Sequence, residues 1–516
     1  MTMTATWVGG GYLNGTAEVV YSSGIIWCYA PLGYALSLVL GGKYFAKKIH
    51  ASESITMIDP FQRRFGRWVV FLLIIPAVCG EMCWSAAILS ALGATIEVGV
   101  GFHTSTAAIV VSSCVTLFYT ALGGLYSVVY TDVFQVMITA VGMWYCVPLI
   151  VHHDAAGTLK NYSWVGHMSY GDMVVSLDFF LMTALGGISW QVYFQRVLSA
   201  ESESVAKWLS YLGAFGCLFL AAPPMIMGAA AATTNMTKVG YSGPARLVSE
   251  DRHRTLPYII HLFLPRFEAV LGMLAIMTAV MSSYDSSALS AATMMTRNVY
   301  QKLIRPKAGA TELVMFLRAS VVAFGGVATV LAMSVQAGSV YSLWVLSSDV
   351  VYVLLFPQLL AFSYYEEKTN AYGLLLGFIL SGALRVVSGE PSLDVPVLLR
   401  FPFYDEVQGQ IFPFRTFCMM INVVSIVLFS KLAAHLFEKN ILDPKQDVFN
   451  SFPSLHTAAV QSLPAEDKQP TEAEEPTKQT TGKDDTKTTS GRSEQDRRRS
   501  STAGSSSRSG NLLTLL

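Results

Sequence analysis

The first membrane-like stretch of this chain, Thr4–Tyr21, reads TATWVGGGYLNGTAEVVY and places Gly9, Gly10 and Gly11 in succession at its middle. The stretch is apolar, yet each glycine costs a continuous helix about 1 kcal/mol relative to alanine. In a bilayer, unwound backbone is tolerated only where it is buried in protein or lines a watery cavity. A broken membrane helix is typical of a transporter binding site, where freed carbonyl groups face a cation. The alternative is a glycine-lined contact between two continuous helices.

The composition indicates a membrane protein. The chain has 516 residues, of which 52% are hydrophobic and only 14% are charged, and its mean hydropathy is +0.45. Soluble proteins carry about 25% charged residues. The formal net charge is zero, which gives no indication of nucleic-acid binding. All seven cysteines lie in apolar runs, so we expect buried thiols and not an extracellular disulfide framework.

Apolar stretches near the spanning length of about 20 residues recur along the chain and predict about twelve transmembrane helices. We therefore expect an all-α polytopic membrane protein. The predicted spans are Thr4–Tyr21, Ile25–Tyr44, Trp68–Ala94, Thr106–Tyr126, Val133–Val151, Leu177–Val197, Leu209–Ala231, Val270–Met294, Val314–Val335, Val340–Tyr364, Tyr372–Val387 and Cys418–Phe437.

The short loops predict the orientation of these helices, because Lys and Arg accumulate on the cytoplasmic side. The basic residues fall in alternate loops: Lys43, Lys47, Lys48, Arg63, Arg64 and Arg67, then Arg196 and Lys207, then Arg297, Lys302, Arg305 and Lys307. Two glycosylation sequons, at Asn161 and Asn235, fall on the opposite side. We expect a membrane domain over residues 1–439 and a disordered cytoplasmic tail over 440–516, where polar residues dominate.

A second glycine pair interrupts the sixth predicted span. The run LMTALGGISWQVYFQR holds Gly186 and Gly187 shortly before Trp190. With five helices in each half, this break starts the second half, as the first break starts the first half. Paired interruptions at corresponding positions are typical of an inverted five-plus-five repeat. The pairing favours a transporter over a simple packing seam.

The eighth predicted span is unusually polar and reads TAVMSSYDSSALSAATMM from Thr278 onward. The Ala279 carbonyl and the Ser282 and Ser283 hydroxyls share one helical face, and hard oxygen ligands suit a cation such as sodium. Asp285 in the lipid core is costly unless it is paired or faces a cavity, so it is a functional candidate. A polar seam between packed helices is the alternative.

Aromatic residues form the other unusual set. Trp7, Trp84 and Trp190 lie near the predicted middles of three spans, and Tyr34 lies in a fourth. Membrane tryptophans usually favour the interfaces, so these four rings suggest a cage for an organic cation, at about 0.5–2 kcal/mol per ring. Glu81, one turn before Trp84, is a candidate counter-charge. Ordinary ring packing is the alternative.

Several strings resemble the sodium/solute symporter family. GGLYSVVYTDVFQ at residues 123–135 resembles the signature of that family, and AVMSS at Ala279–Ser283 resembles its sodium-site helix. The longer strings TATWVGGGYLNGTAE, PLGYALSL, TMIDPFQ, GGISWQVYFQRV and LWVLSSDVVYVLLFPQLL resemble its choline-transporting members. The likeness runs from Thr2 to about Asp447 and fades in the tail.

The resemblance implies a leucine-transporter-type fold with broken first and sixth helices. It further implies sodium- and chloride-dependent uptake of choline for acetylcholine synthesis, at the plasma membrane of cholinergic terminals and in synaptic vesicles. The matching choline-cage positions are Trp7, Tyr34, Trp84 and Trp190. The matching sodium positions are Ala5 and Val8 by carbonyl, with Ala279, Ser282, Ser283 and, for a further sodium, Asp285. Asn235 matches the glycosylated outer loop, and no residue is assigned to chloride.

Other functions stay open at this point. The choline-transporting members have thirteen spans, and this sequence begins inside the broken helix, which leaves a short, non-transporting form as one alternative. A symporter of the same fold for a sugar, proline or a vitamin is another. A membrane enzyme is a third, although the sequence contains no HExxH or nucleophile-elbow motif. Homo-oligomerisation is compatible with all of them.

Overall fold

The structure is a computed structural model that describes residues 1–101, 105–157, 164–334, 340–390, 393, 395–406 and 409–452. Apart from one short antiparallel strand pair, Tyr404–Asp405 with Gly409–Gln410, the regular structure of these residues is helical. The α-helices are α1 Thr2–Trp7, α2 Gly10–Ser22, α3 Ala30–Leu40, α4 Ala46–Ala51, α5 Asp59–Val100, α6 Ser105–Val151, α7 Tyr170–Gly186, α8 Gln191–Leu198, α9 Glu203–Ala232, α10 Thr255–Phe263, α11 Arg266–Met294, α12 Ala310–Ser334, α13 Val340–Val350, α14 Phe356–Tyr364, α15 Ala371–Val387 and α16 Phe414–Glu438.

Every predicted span falls on helix, although the helices are joined differently. Within the described residues, nine helices are long and apolar enough to cross a membrane. Two predicted spans merge into α6, which changes direction at Gly124 (φ 59°). The first predicted span is split between α1 and α2, and α15 has only 17 residues. The sequence analysis missed α10, a short helix in the connection before α11.

The first predicted break is present between α1 and α2. Val8 (φ −89°, ψ 76°) and Gly9 (φ −102°, ψ −170°) leave the helical conformation, and α2 resumes at Gly10. The glycines also permit close packing against α11. A Cβ added at Gly9 would lie 2.4 Å from the Ser283 Oγ, so only glycine fits there.

The second break separates α7 from α8. A single 3₁₀ turn, Gly187–Ser189, follows α7, and Trp190 is extended (φ −96°, ψ 137°) before α8 begins. A Cβ at Gly187 would lie 2.5 Å from the Ser37 Oγ, so this glycine lets α3 approach the break. Both halves of the chain therefore begin with a broken helix, as the sequence predicts.

The predicted basic loops gather at one end of the molecule. Lys47 pairs with Glu203 at 3.3 Å, which joins the α4 start to the α9 start. Lys302 pairs with Asp59 at 2.7 Å, which joins the segment after α11 to the α5 start. At the other end, the α5 residue Glu97 pairs with Arg254 at 3.1 Å. The arrangement agrees with the alternation of charge that predicts the orientation.

The cysteine prediction needs a correction. All seven thiols are free, but Cys79 and Cys114 are exposed on the outward faces of α5 and α6. In a membrane protein an outward face meets hydrocarbon, which suits a thiol as well as a protein core does. Position within an apolar run therefore does not decide burial.

The contacts divide the chain into two units, Met1–Leu432 and Ala433–Leu516. In the second unit the Phe437 and Phe452 rings pack with centroids 5.2 Å apart, and Pro444–Gln446 forms a 3₁₀ turn between them. Residues 453–516, most of the predicted disordered tail, lie outside the described residues, as does the sequon at Asn161.

The tight glycine packing at the first break gives a testable prediction. Gly10→Ala should lower the free energy of unfolding by about 1–3 kcal/mol, the usual cost of overpacking. The reason is that the new Cβ would lie 2.6 Å from the Val280 Cγ2 and 2.8 Å from the Ala91 Cβ. The measurement is thermal unfolding of the purified chain in detergent.

A matched control is Gly326→Ala in α12, where an added Cβ meets nothing within 4 Å. This variant should be neutral or slightly more stable, because alanine is the better helix former. Equal stability of the two variants would contradict the packing described at Gly10.

Candidate functional site

The two helix breaks meet at a cavity lined with aromatic rings. Trp7 ends α1 at the first break, Trp190 occupies the extended residue of the second break, and both line the cavity. The remaining lining residues come from α3, α5, α8 and α13: Tyr34, Trp84, Val192 and Trp344. The structure thus brings together all four aromatic residues selected from the sequence.

The rings form two pairs that face the cavity. Trp84 and Trp190 meet edge to face, with centroids 5.1 Å apart and an interplanar angle of 72°. Tyr34 and Trp344 are stacked, with centroids 5.3 Å apart and an angle of 24°. The Tyr34 hydroxyl also bonds the Ser348 hydroxyl on α13. These contacts fix the orientations of the rings around the cavity.

The cavity has aromatic faces but no carboxylate among its described lining residues. The indole nitrogens of Trp7 and Trp190 are buried and have no hydrogen-bond partner within the described residues. Ring faces carry the negative part of the aromatic quadrupole, so they attract a cation that cannot accept or donate hydrogen bonds. A quaternary ammonium group fits this chemistry.

The cavity volume is about 20 Å³, little more than one water molecule requires. A cation larger than a water molecule fits only after the rings separate. The walls belong to helices on both sides of the breaks.

Glu81, the predicted counter-charge, does not line the cavity. Its carboxylate is buried and accepts a 2.6 Å hydrogen bond from Ser287 on α11, and Ser287 also accepts a 2.9 Å bond from Ser85. The carboxylate therefore joins α5 to α11 beside the cavity. Its role as a direct partner of the cation stays a prediction.

The predicted sodium ligands lie where α11 passes the first break. Ser283 donates to the carbonyl oxygens of Thr6 at 2.9 Å and Ala5 at 3.2 Å. Val8 lies at the break itself, and Ala279 lies one turn before Ser283 on the same buried face of α11. Backbone carbonyls and hydroxyls from two helices thus converge, an oxygen set that suits a hard cation.

The side chains of Ser282 and Asp285 contact α6 instead of α1. Ser282 donates a 2.5 Å bond to the Asp132 carboxylate, and Asp285 accepts a 2.9 Å bond from the Tyr119 hydroxyl. Both acids are fully buried. Asp285 is therefore paired and lies on the α6 side of α11, while Ser283 faces α1.

Arg196 completes this buried cluster. Its Nη2 atom lies 3.2 Å from the Asp132 carboxylate and donates to Ser286 at 2.7 Å and Thr6 at 3.0 Å. One guanidinium thus joins α8, α6, α11 and α1 directly below the first break. The prediction that Arg196 belongs to a cytoplasmic loop is wrong, because α8 continues to Leu198 and carries the side chain inward.

The sequence analysis missed three residues of the site. Asp132 lies in the quoted signature GGLYSVVYTDVFQ, but it falls between the predicted spans Thr106–Tyr126 and Val133–Val151, so the cost of a carboxylate in the membrane core did not single it out. Trp344 lies only four positions from the start of the tenth predicted span, where a membrane tryptophan is ordinary, so the mid-span criterion does not select it. Val192 carries no signal, because a valine in an apolar helix is ordinary.

A second charged cluster supports the cavity from behind. Asp349, next to the Tyr34 partner Ser348, accepts hydrogen bonds from the Arg385 guanidinium at 2.8 Å and from Arg415 at 3.2 Å. Asp178 on α7 caps the start of α16 by accepting from the Thr416 amide at 2.8 Å. The cluster connects α7, which leads into the second break, and the cavity helix α13 to α15 and α16.

Asn235, the second sequon, is exposed in the connection between α9 and α10. Its amide oxygen accepts from the Thr237 hydroxyl at 2.7 Å and from the Thr237 amide at 3.1 Å. The sequon is thus on the surface at the end of the molecule that holds the Glu97–Arg254 pair.

Comparisons with known proteins agree on one family. The model for the sodium:solute symporter family matches residues 1–381. High-affinity choline transporter 1 of Drosophila melanogaster is 44% identical over 451 residues, which cover 87% of this chain and 73% of that protein. The Homo sapiens high affinity choline transporter 1 is 43% identical over 472 residues, covering 88% and 80%. The Caenorhabditis elegans protein of that name is 41% identical over 456 residues, covering 87% and 78%.

The fold also has a close structural counterpart. A solved Na⁺-coupled sialic acid symporter in a substrate-bound outward-open state superposes with a TM-score of 0.67 over 84% of this chain and 88% of the other, at 15% identity. The predicted leucine-transporter-type fold, with five-plus-five repeats and broken first and sixth helices, is confirmed.

The buried Arg196 cluster gives a testable prediction. Arg196→Met should lower the free energy of unfolding by about 3–5 kcal/mol, the usual cost of leaving a buried charge without its partner. Adding Asp132→Asn should restore part of the loss, because the unpaired carboxylate is then removed. Thermal unfolding of the single and double variants in detergent measures both effects.

The matched control is Arg400→Met, because the Arg400–Glu406 pair is exposed on both sides and salt screens it. This variant should unfold like the parent. If Arg196→Met also unfolded like the parent, the ion pair would not contribute to stability as described.

Proposed function

The chain belongs to the sodium:solute symporter family, and we propose that it moves choline inward together with sodium by alternating access. The aromatic cavity carries this proposal, because five rings with no carboxylate in the described lining suit a permanent cation. The names of the relatives support choline as that cation. The membrane-enzyme alternative is excluded, since the family consists of symporters.

The proposed driving force is electrical as well as chemical. Choline carries a fixed positive charge and no proton to lose, so aromatic faces hold it without a change of protonation. Sodium binds the Ala5 and Val8 carbonyls with Ala279, Ser282 and Ser283, once the Ser282 hydroxyl turns from the Asp132 carboxylate to the ion. Asp285 serves a further sodium. Each charge that moves toward a negative interior gains about 2.3 kcal/mol per 100 mV.

The order of events follows from the contacts at the first break. Ser283 satisfies the carbonyls of Ala5 and Thr6, so a sodium ion there replaces hydroxyl hydrogen bonds with ion–oxygen contacts. The ion would hold α1 against α11 while the rings close around choline. Release on the inner side then requires α1 to leave α11, which frees both the ion and Trp7.

We extend the proposal to the ion requirement, the location and the purpose of transport, and to the orientation of the chain in the membrane. Uptake requires chloride and supplies acetylcholine synthesis, and the protein resides in the plasma membrane of cholinergic terminals and in synaptic vesicles. The basic end of the molecule and the C-terminus face the cytoplasm, and Asn235 carries a glycan outside. The family resemblance supports these points, and no residue is assigned to chloride.

The deciding experiment is uptake of radiolabelled choline by cells that express this chain. Sodium-dependent uptake above that of mock-transfected cells is the expected result, and exchange of chloride for gluconate tests the chloride requirement. Surface labelling without choline uptake would refute the proposal. Direct uptake of radiolabelled glucose, proline or vitamins would then identify another solute, and uptake of none of them would leave a non-transporting protein.

The proposed aromatic cage predicts that Trp190→Ala weakens choline binding. Removing one ring should weaken choline binding by about 2- to 30-fold, because a cation–π contact contributes about 0.5–2 kcal/mol and 1.4 kcal/mol is tenfold. The half-saturating choline concentration measures the change, at surface expression matched by biotinylation. The control is Trp208→Ala, because Trp208 is exposed on α9 and does not line the cavity. Unchanged choline dependence in Trp190→Ala would contradict the cage.

The sodium site predicts a different change in Ser282→Ala and Ser283→Ala. Each variant should raise the half-saturating sodium concentration about 10- to 150-fold, since a hydroxyl bonded to a charged group contributes about 1.5–3 kcal/mol. The measurement is choline uptake as a function of sodium at constant ionic strength. Ser334→Ala, which removes only a hydroxyl bonded to its own helix at Val330, is the control. A sodium curve that is identical in all three variants would refute the site.

A further inference from the structure

A second, larger cavity lies away from the aromatic rings. It has a volume of about 670 Å³, within the range of about 300–1,000 Å³ that is typical of sites for small organic ligands. It opens between the C-terminal end of α5, the end of α10 and the first three turns of α11. Its lining residues are Thr95, Ile96, Gly99, His261, Leu264, Arg266, Ala269, Val270, Met273, Leu274 and Met277.

The apolar part of this cavity opens toward the lipid. Val270 is 63% exposed and Leu274 is 42% exposed, although both lie in the membrane helix α11. Ala269 and Met273, one position away on the helix, are buried and form the floor. Atoms that line a void lose dispersion contacts, so an acyl chain from the surrounding bilayer fills this cavity without any cost in hydration.

The membrane-surface end of the cavity is positively charged. Arg266 is the first residue of α11, and its exposed guanidinium has no hydrogen bond or ion pair within the described residues. The imidazole of His261 lies beside it in the lining, and none of the lining side chains is acidic. The nearby carboxylate of Glu97 is already paired with Arg254. Guanidinium groups bind phosphate through two parallel hydrogen bonds.

The length of the cavity matches one leaflet. Arg266 and Met277 are 11 positions apart, which is about 16 Å along an α-helix, and half of the hydrocarbon core is about 15 Å. A cation at the surface and two methionines, Met273 and Met277, at mid-depth correspond to the phosphate of a lipid head group with one extended tail. Methionine side chains adapt to a flexible ligand.

We propose that this cavity is a binding site for a phospholipid of the surrounding leaflet. The phosphate contacts Arg266, and one acyl chain lies between α5 and α11 down to Met277. The site does not depend on the transport of choline. Its position matters because α5 also carries Trp84 and α11 also carries Ser283, so a bound chain braces the two helices that hold the aromatic cavity and the oxygen cluster.

The test uses the full chain in phosphatidylcholine vesicles that contain a phosphatidylcholine with a diazirine near the end of one acyl chain. After illumination, peptide mass spectrometry locates the label. We expect several-fold more label on residues 273–277 of α11 than on the exposed face of α6 around Val141, which is 71% exposed. Equal labelling of the two faces would mean ordinary lipid contact and would overturn the proposal.

Variants at Ala269 and Arg266 test the apolar end and the charged end of the site separately. Ala269→Trp fills the floor and should remove the excess label, whereas the control Val141→Trp should retain it. Arg266→Gln should reduce the label several-fold, and Arg266→Lys should keep most of it. If Ala269→Trp does not fold, the two Arg266 variants decide. Equal labelling of the Arg266→Gln and Arg266→Lys variants would overturn the site. Cross-links from this surface to another protein in place of the lipid would overturn it as well. None of these measurements uses choline uptake.

Discussion

The structure depends on how unwound backbone is satisfied inside a membrane. A carbonyl group without a partner in hydrocarbon costs several kcal/mol, and the first break exposes the carbonyls of Ala5 and Thr6. Ser283 supplies their partner, and it can reach them only because Gly9 has no side chain. The break, the glycines and the serine-rich α11 are therefore one feature. A cation that enters this place substitutes for a hydroxyl proton and keeps the backbone satisfied.

Two buried charge clusters frame the aromatic cavity on opposite sides. Arg196 and Asp132 connect the half-helices α1 and α8 to α6 and α11, and Asp349 connects α13 to α15 and α16 through Arg385 and Arg415. Charges of this kind contribute little net stability compared with apolar packing, but they allow few alternative partners. They therefore specify which helices meet, while the apolar surfaces hold the helices together. Between the two clusters, the walls of the aromatic cavity are rings in van der Waals contact. Because such contacts do not fix a single geometry, the cavity can change shape.

Much of the fold follows from apolar length and glycine position, because those signals are local. Both breaks, at Gly9 and near Gly187, were predictable since consecutive glycines disfavour a helix wherever they occur. The aromatic residues could be selected because tryptophan at mid-depth is unusual. Which charged residues pair with each other was less predictable. Arg196 follows an apolar run like any loop charge, and only its contact with Asp132, 64 positions earlier, shows that it is buried. The α10 helix was missed because nine residues give too weak a periodic signal.

The small volume of the aromatic cavity has a consequence for how affinity is set. A chain in which the rings are together cannot accept a cation, so the apparent dissociation constant equals the intrinsic one divided by the fraction of molecules that are open. Every 1.4 kcal/mol in favour of the closed form lowers the apparent affinity tenfold. Ser348, which bonds Tyr34, and Asp349 lie behind the rings, so a change at either residue would shift that balance without touching a ligand. Natural variation at such positions can tune the working concentration range of the protein while the rings stay the same.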